Sequence, residues 1–306
     1  MKIRVLGSAA GGGFPQWNCN CHNCSGVRRG TLRATPGTQS SIAVSGADGS
    51  AWALVNASPD IHAQLKAYPD LQPARAPRDT AIAGIVLVDA QVDHTAGLYM
   101  LRESPRPLVV WCTDSTCADL TRGNPIFELL GHYCGVDRRR MDCEGGEFSI
   151  DGIPGVIWRA VAVSSKPPPY SPHHTAAVPG DNVALVIRES ASGRSVVYAP
   201  GLGAMEPPVW SALQSAACVL IDGTFWSDDE MITQGLTSKR ARDLGHLPQS
   251  GAGGVLEWLG RLPRSTRRIL IHVNNTNPIL DEDSKERALL ERAGVEVAYD
   301  GLEISL

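Results

Sequence analysis

Polar side chains that can bind a metal ion follow a predicted buried strand in the first third of the chain. The run Ile82–Val88 is apolar and largely β-branched, which is typical of a strand covered on both faces. It ends in the polar stretch Asp89–His94, after which Thr95 is expected to cap a short helix. Ligands bind at the carboxyl ends of strands in layered α/β proteins. Asp93 and His94 side by side therefore indicate a binding site rather than a solvated turn.

Two further predicted strands end in groups of the same chemistry. Ala217–Ile221 is followed by Asp222, and the run Arg268–Ile271 is followed by His272. A single histidine in such a position is more often a hydrogen-bonded core residue than a ligand. The Asp-His pair at another strand end makes metal binding the better interpretation. Two imidazoles and one carboxylate with open positions suit non-haem Fe(II), although zinc hydrolases use a similar set.

We therefore predict a metal centre made of Asp93, His94 and His272. Asp222 and His246 are expected beside it, as residues that orient the ligands or transfer protons. A nucleophilic hydrolase is not indicated, because the chain has no G-x-S-x-G elbow and no cysteine in a recognisable Cys/His context.

Three cysteines near the amino terminus indicate a second metal site. Cys19, Cys21 and Cys24 follow the pattern Cys-x-Cys-x-x-Cys, and three thiolates so spaced can reach one ion, for which zinc is the usual choice. A shell rich in thiolates is typical of a structural ion. The fourth ligand stays open among His22, Cys134 and a residue that the fold brings to the site.

Length, charge and composition limit the class of protein. The chain has 306 residues and a formal net charge of −4, and its basic run Arg138–Arg140 is short and reads as solvated, which argues against a dedicated nucleic-acid binder. No apolar run approaches the length of a membrane span. The amino terminus lacks the apolar stretch of a signal peptide, so we expect a cytoplasmic location. The eight cysteines then favour metal binding and core packing over disulfides.

The order of the predicted elements favours an α/β fold in which two mixed β-sheets pack together between helices. One connection stands out: Ser164–Pro172 cannot be regular structure because of its prolines. A loop of this length inside a compact domain is typical of a lid or a binding loop. His173 and His174 end it and are candidates for acid–base work.

Six motifs resemble those of one known family. They are LGSAAGGGFPQWNCNCHNC, DAQVDHTAGL, SSKPPPYSPHH, LIDGTFW, LGHLPQS and HVNNTNP. Together they are similar to the coenzyme PQQ (pyrroloquinoline quinone) biosynthesis protein B family, a branch of the metallo-β-lactamase-fold superfamily. The resemblance implies a four-layer αβ/βα sandwich. It also implies a single domain over residues 1–306, with a Cys-rich metal-binding element at residues 17–26.

The metal motif of the superfamily is His-x-His-x-Asp-His, and this chain departs from it. Asp89 and Gln91 occupy the positions of the first two histidines, whereas Asp93 and His94 are kept. The carboxylate that often bridges two metals in the superfamily also has no counterpart here. The resemblance therefore implies one mononuclear site, completed by His272 of the last motif, rather than a dinuclear zinc hydrolase.

The resemblance implies iron- and O₂-dependent hydroxylation of the tyrosine ring in a Glu–Tyr cross-linked PQQ precursor. Fe(II) would occupy the mononuclear site and Zn(II) the Cys-rich site. Lys166, Tyr170 and the pair His173-His174 are then candidates for contacting the substrate's carboxylates. The implied partners are the precursor, O₂ and other proteins of PQQ biosynthesis. Two alternatives stay open: a carrier that moves PQQ or its precursor towards the periplasm, and a zinc hydrolase of the superfamily.

Overall fold

Fourteen strands, most of them apolar and rich in β-branched residues, build two sheets in the computed structural model, which describes residues 1–306. In chain order they are β1 (Lys2–Gly7), β2 (Ser41–Ser45), β3 (Trp52–Val55), β4 (Ile82–Val86), β5 (Leu108–Cys112), β6 (Val136–Arg140), β7 (Glu147–Phe148), β8 (Val156–Ala162), β9 (Val183–Glu189), β10 (Ser195–Ala199), β11 (Cys218–Asp222), β12 (Arg267–Ile271), β13 (Glu296–Val297) and β14 (Glu303–Ser305).

The two sheets share one topology, although the sequence shows no internal repeat. The first has the order β14-β1-β2-β3-β4-β5-β6 and the second β13-β12-β11-β10-β9-β8-β7. In the first sheet the pairs from β14 to β3 are antiparallel and those from β3 to β6 parallel. In the second the pairs from β7 to β10 are antiparallel and those from β10 to β13 parallel. Each sheet therefore has a parallel half, whose carboxyl strand ends can carry a site.

Ten short helices connect the strands. They are α1 (His22–Arg29), α2 (Ile61–Ala67), α3 (Val92–Thr95), α4 (Gly97–Met100), α5 (Asp114–Ala118), α6 (Ile126–Gly131), α7 (Pro207–Ser215), α8 (Glu230–Thr233), α9 (Val255–Leu259) and α10 (Lys285–Ala293). None of them has the length and apolar character that crossing a membrane would require.

The buried apolar side chains fall into three large groups, which define four layers. The largest, with 27 residues, joins the facing sides of the two sheets. A group of 22 residues lies between the second sheet and helices that include α7, α9 and α10. A group of 17 lies between the first sheet and helices that include α2, α4 and α6. Two mixed sheets between helices are thus confirmed.

One local prediction is wrong. Thr95 does not cap a helix: α3 begins at Val92, and the Thr95 hydroxyl donates to the carbonyl of Gln91 at 2.9 Å. Asp93 and His94 consequently lie inside the helix. The run Arg138–Arg140 is largely solvated, as predicted, but it is also the end of β6, an edge strand beside β5 that the sequence did not indicate. Consecutive arginines lack the apolar alternation of a strand, but charged residues are common on edge strands because they discourage further pairing.

Candidate metal centre

The candidate metal centre lies where the parallel halves of the two sheets end. Asp222 closes β11 and pairs with Ile271, the last residue of the neighbouring strand β12. His272 follows directly, so Asp222 and His272 leave the same edge of the second sheet. On the facing sheet, β4 leads into α3, whose first turn carries Asp93 and His94. The fold thus brings together side chains that are up to 179 residues apart in the chain.

The three predicted ligands lie within reach of one ion. Oδ2 of Asp93 lies 3.3 Å from Nε2 of His272 and 3.8 Å from Nε2 of His94. One donor atom from each residue falls within 4.8 Å of the other two. Both imidazoles are buried, whereas Asp93 is partly exposed. Two imidazole nitrogens and one carboxylate oxygen therefore converge on a small volume that is open on one side.

His94 supplies the observation that tests whether these residues fit a metal. Its Nδ1 lies 2.8 and 2.9 Å from the two carboxylate oxygens of Asp89. A carboxylate only accepts hydrogen bonds, so Nδ1 carries a hydrogen and Nε2 is the nitrogen left for a metal ion. Nε2 is buried and has no hydrogen-bond partner. A buried polar atom without a partner is costly, and a cation bound to Nε2 would remove that cost. The residues fit a metal ion.

His272 is oriented by a second chain of hydrogen bonds. The hydroxyl of Thr224 donates to Asp222 at 2.6 Å and lies 2.9 Å from Nδ1 of His272. Since that hydroxyl already donates to a carboxylate, it accepts from Nδ1–H, which leaves Nε2 of His272 free to bind a metal. The backbone of His272 has φ +62°, a left-handed conformation that non-glycine residues adopt at a cost of about 1 kcal/mol or more.

Both carboxylate oxygens of Asp222 accept hydrogen bonds from neighbouring groups. Its oxygens accept from the backbone N–H of Leu202 and Thr224, at 2.8 and 3.0 Å, as well as from the Thr224 hydroxyl. They also accept from Nδ1 of His246 at 2.7 Å. His246 in turn lies against His272, with ring centroids 5.6 Å apart. With Nδ1 engaged, the remaining nitrogen of His246 can exchange a proton beside the metal centre.

Charge at the centre favours a cation. Burial lowers the pKa of His94, but the carboxylates of Asp89 and Asp93 outweigh it and raise that pKa to about 9. Burial raises the pKa of Asp93, but the imidazoles of His94 and His272 hold it well below its usual range. For His246 the effect of burial is also overcome, by Asp222, so that its pKa is raised. Without metal the site retains protons that a divalent cation would displace.

Comparison with known proteins agrees with this fold. A family model described as a beta-lactamase superfamily domain matches residues 51–273. Coenzyme PQQ synthesis protein B of Azoarcus sp. (strain BH72) is 62% identical over 306 residues, which is 100% of both chains. The chain belongs to the coenzyme PQQ synthesis protein B family.

Other members of the family support the same conclusion. Coenzyme PQQ synthesis protein B of Cupriavidus necator is 59% identical over 305 residues, covering 100% of this chain and 99% of that one. The crystal structure of Zn²⁺-bound PqqB from Methylobacterium extorquens covers 100% of both chains with a TM-score of 0.89 at 35% identity. The predicted family and the metallo-β-lactamase-like sandwich are therefore confirmed.

A cavity of about 360 Å³ opens above the metal centre of this family member. Its lining includes the three predicted ligands, His246 and Lys166. The Nε2 of Gln91 donates to the carbonyl of Lys166 at 3.0 Å, so the proline-rich loop is tied to the wall of the cavity. Lys166 is the candidate substrate residue of this loop that the fold places at the cavity.

The other three loop candidates do not line the cavity. The phenol of Tyr170 donates to the carbonyl of Ala90. Nδ1 of His173 lies 3.0 Å from a carboxylate oxygen of Asp181, and Nδ1 of His174 lies 2.9 Å from the carbonyl of Ser171. These contacts hold the loop in place, so Tyr170, His173 and His174 support the loop rather than face the metal centre.

Sequence reasoning missed two residues of the site. Thr224 orients His272, and its position two residues after Asp222 is the local signal that could have revealed it, because an Asp side chain commonly accepts from that backbone N–H. Asn182 lines the cavity and is 5% exposed, with no hydrogen-bond partner for its Nδ2. No sequence signal distinguishes Asn182 from an ordinary turn residue at the start of β9.

The three cysteines of the amino-terminal element also converge. Their sulfur atoms lie within 4.8 Å of one another. Of the candidates for a fourth ligand, His22 is exposed and outside this group, and Cys134 packs against the helices of the first sheet. The side chain that does reach the sulfurs is Asn275, which arrives from the loop after β12.

A buried carboxyl group beside this loop makes stability depend on pH. Glu230 is 5% exposed and accepts hydrogen bonds from the Trp226 backbone and the Thr276 hydroxyl. Burial raises its pKa to about 7, from 4.5. As pH rises through that interval the unfolded chain loses its proton first, so the free energy of unfolding falls by roughly 3 kcal/mol.

We therefore expect Glu230→Gln to remove this pH dependence. Urea unfolding of both proteins at about pH 5 and about pH 8 measures it. The wild-type protein should lose more stability than the variant between the two values. An equal loss in both proteins would contradict the prediction, and the exposed Asp229→Asn is the matched control.

Proposed function

We propose that this chain acts in PQQ biosynthesis as a metal-dependent enzyme, a non-haem iron- and O₂-dependent hydroxylase of the tyrosine ring in a Glu–Tyr cross-linked precursor. The observation that carries the proposal is the set of Asp93, His94 and His272, with its unpartnered Nε2 on His94. Two imidazoles and one carboxylate leave neighbouring coordination positions free, which is the arrangement typical of Fe(II) oxygenases. Fe(II) bound there would supply the activation of O₂; one oxygen atom would enter the ring in place of hydrogen and the other would leave as water, with two electrons from an added reductant such as ascorbate.

The chain's own residues would hold the reactants and move protons. Lys166 offers a cation to a substrate carboxylate at the cavity wall. Apolar side chains of Phe225, Met231 and Leu244 line the same cavity and suit an aromatic ring. His246, oriented by Asp222, would take up or deliver a proton through its free nitrogen.

Asp89 and Gln91 support hydroxylation over hydrolysis. They stand where the superfamily has the two histidines of its first metal position. Asp89 is engaged with Nδ1 of His94, and Gln91 with the carbonyl of Lys166. Both side chains therefore support the mononuclear site. A dinuclear zinc site would lack the two histidine ligands that the superfamily has at these positions.

The proposal also includes a second metal ion, a cellular location and reaction partners. We assign a structural Zn(II) to Cys19, Cys21 and Cys24, whose sulfurs are spaced for one ion. We further propose a cytoplasmic enzyme of one domain, with the precursor and O₂ as reactants and other proteins of PQQ biosynthesis as partners.

Anaerobic purification, loading with Fe(II) and addition of O₂, ascorbate and the Glu–Tyr cross-linked dipeptide would test the proposal by mass spectrometry. The expected result is a substrate that gains oxygen only when iron is present. Zinc-loaded protein is the metal control, and His132→Ala is the matched variant because His132 is exposed. Hydrolysed substrate would support the zinc hydrolase instead. Unchanged substrate, with PQQ bound intact, would support the carrier.

A further inference from the structure

The two metal sites meet in one short stretch of chain, which we call the 272–277 segment. It begins with His272 of the metal centre, and Asn274 lines the cavity above that centre. Three residues after His272, the side chain of Asn275 reaches the sulfurs of the Cys-rich element. Asn275 is 5% exposed, so the contact is buried.

The contact between Asn275 and the three sulfurs has the geometry of a ligand. Its Nδ2 position lies 3.1 Å from the sulfur of Cys19, 3.6 Å from that of Cys21 and 3.4 Å from that of Cys24. An amide nitrogen has two hydrogens and cannot donate to three sulfurs at once. In a tetrahedral zinc site with sulfur at about 2.3 Å and oxygen at about 2.0 Å, the sulfur–oxygen edge is about 3.5 Å.

Amide oxygen and nitrogen exchange places by a half-turn of the side-chain amide, and their assignment follows from the surroundings. We infer that Oδ1 of Asn275 is the fourth ligand of the ion at Cys19, Cys21 and Cys24, and that this bond positions His272 for the metal centre. The inference rests on the zinc proposed for the Cys-rich element and is independent of the hydroxylation chemistry.

Hydrogen bonds from the side chain of Asn23 explain why an ion at the cysteines would affect the position of His272. Asn23, which lies between Cys21 and Cys24, donates to the carbonyls of Asn275 and Asn277 at 3.0 and 2.8 Å. The Cys-rich element and the 272–277 segment are thereby fastened to each other. The left-handed backbone of His272 is strained, and such conformations persist only when their surroundings hold them. Without the fourth bond, the constraint on His272 weakens.

The test measures the affinity of each site for metal separately. Zinc affinity of the Cys-rich element is measured by competition with a chelator, and Mn(II) affinity of the metal centre by electron paramagnetic resonance on protein that carries zinc at the cysteines alone. Asn275→Ala should lower zinc affinity about tenfold or more and Mn(II) affinity as well. Asn275→Asp retains an oxygen ligand and should restore both. Asn20→Ala, an exposed asparagine of the same element, is the matched control.

Each outcome decides one part of the inference. Wild-type zinc affinity in a folded Asn275→Ala protein would show that Asn275 is not a ligand. Reduced zinc affinity with unchanged Mn(II) affinity would overturn the positioning of His272. If Asn275→Ala fails to fold, failure of Asn275→Asp to bind zinc like the wild type would also overturn the assignment. A wild-type protein that binds no zinc at the cysteines would refute the proposed structural ion and leave the hydroxylase proposal standing.

Discussion

Replacing His94 by alanine is expected to abolish metal binding at the centre formed with Asp93 and His272, and turnover with it. The change removes a buried nitrogen that has no hydrogen-bond partner in the protein, and it leaves two donors for the ion. Loss of residues that only orient ligands already costs 10–100-fold in metal affinity or activity. We therefore expect His94→Ala to lose more than about a hundredfold in affinity.

The variant Asp89→Asn distinguishes the contribution of the ligand His94 from that of the carboxylate that orients it. This variant keeps the imidazole of His94 but weakens the partner that holds its Nδ1 at 2.8 Å. Metal affinity should fall by roughly 10–100-fold, less than in His94→Ala. Fe(II) titration and metal content after gel filtration measure both, with His132→Ala as the baseline. The ligand assignment fails if His94→Ala retains wild-type metal content and turnover.

The fold could be predicted because local patterns and family motifs pointed to the same answer. Apolar runs such as Ile82–Val86 and Cys218–Asp222 form buried strands, and polar residues that follow a parallel strand must meet at one edge. The same logic predicts that Asp93, His94 and His272 lie together. Edge strand β6 was missed because its exposed arginines give no periodic signal.

Contacts that depend on distant parts of the chain could not be predicted. Asn275 meets Cys19 across 256 residues, and nothing local to either residue indicates the pairing. The histidines that end the proline-rich loop were plausible as substrate contacts from sequence. The structure instead gives His173 a local partner, Asp181, eight residues away. Whether a histidine side chain reaches the cavity depends on whether another residue nearby already binds it, and the residue type alone does not show this.

Replacing Asp222 by asparagine is expected both to destabilise the protein and to release His246. One carboxylate oxygen accepts from the Leu202 backbone and His246, and the other accepts from the backbone and hydroxyl of Thr224. In asparagine an NH₂ group replaces one of the two oxygens. In either orientation of the amide, this NH₂ group faces one of the two pairs of donors and cannot accept hydrogen bonds from them. Each buried donor left without an acceptor costs about 1–3 kcal/mol, so the free energy of unfolding should fall by roughly 2–4 kcal/mol.

The same change alters the protonation of His246. In the wild-type protein burial lowers the pKa of His246, but the charge of Asp222 outweighs it and raises that pKa above 6.5. A raised pKa means that the protonated imidazole stabilises the fold below about pH 6.5, and that this stabilisation is lost as pH rises through the folded-state pKa. In Asp222→Asn the neutral amide removes the charge, so the pKa of His246 should drop and this pH dependence should disappear.

Histidine-resolved NMR titration and urea unfolding, both on metal-free protein, measure the two effects independently. Asp229 lies in the same connection but is exposed. The free energy of unfolding of Asp229→Asn should therefore stay within about 0.5 kcal/mol of the wild-type value. If Asp222→Asn loses stability while the pKa of His246 stays raised, another group holds the proton, and the assignment of Asp222 as the partner of His246 is wrong. A lowered pKa together with slower turnover in the assay of the proposed hydroxylation would connect the pair to proton transfer. Slower turnover without a pKa change would leave Asp222 a purely structural anchor.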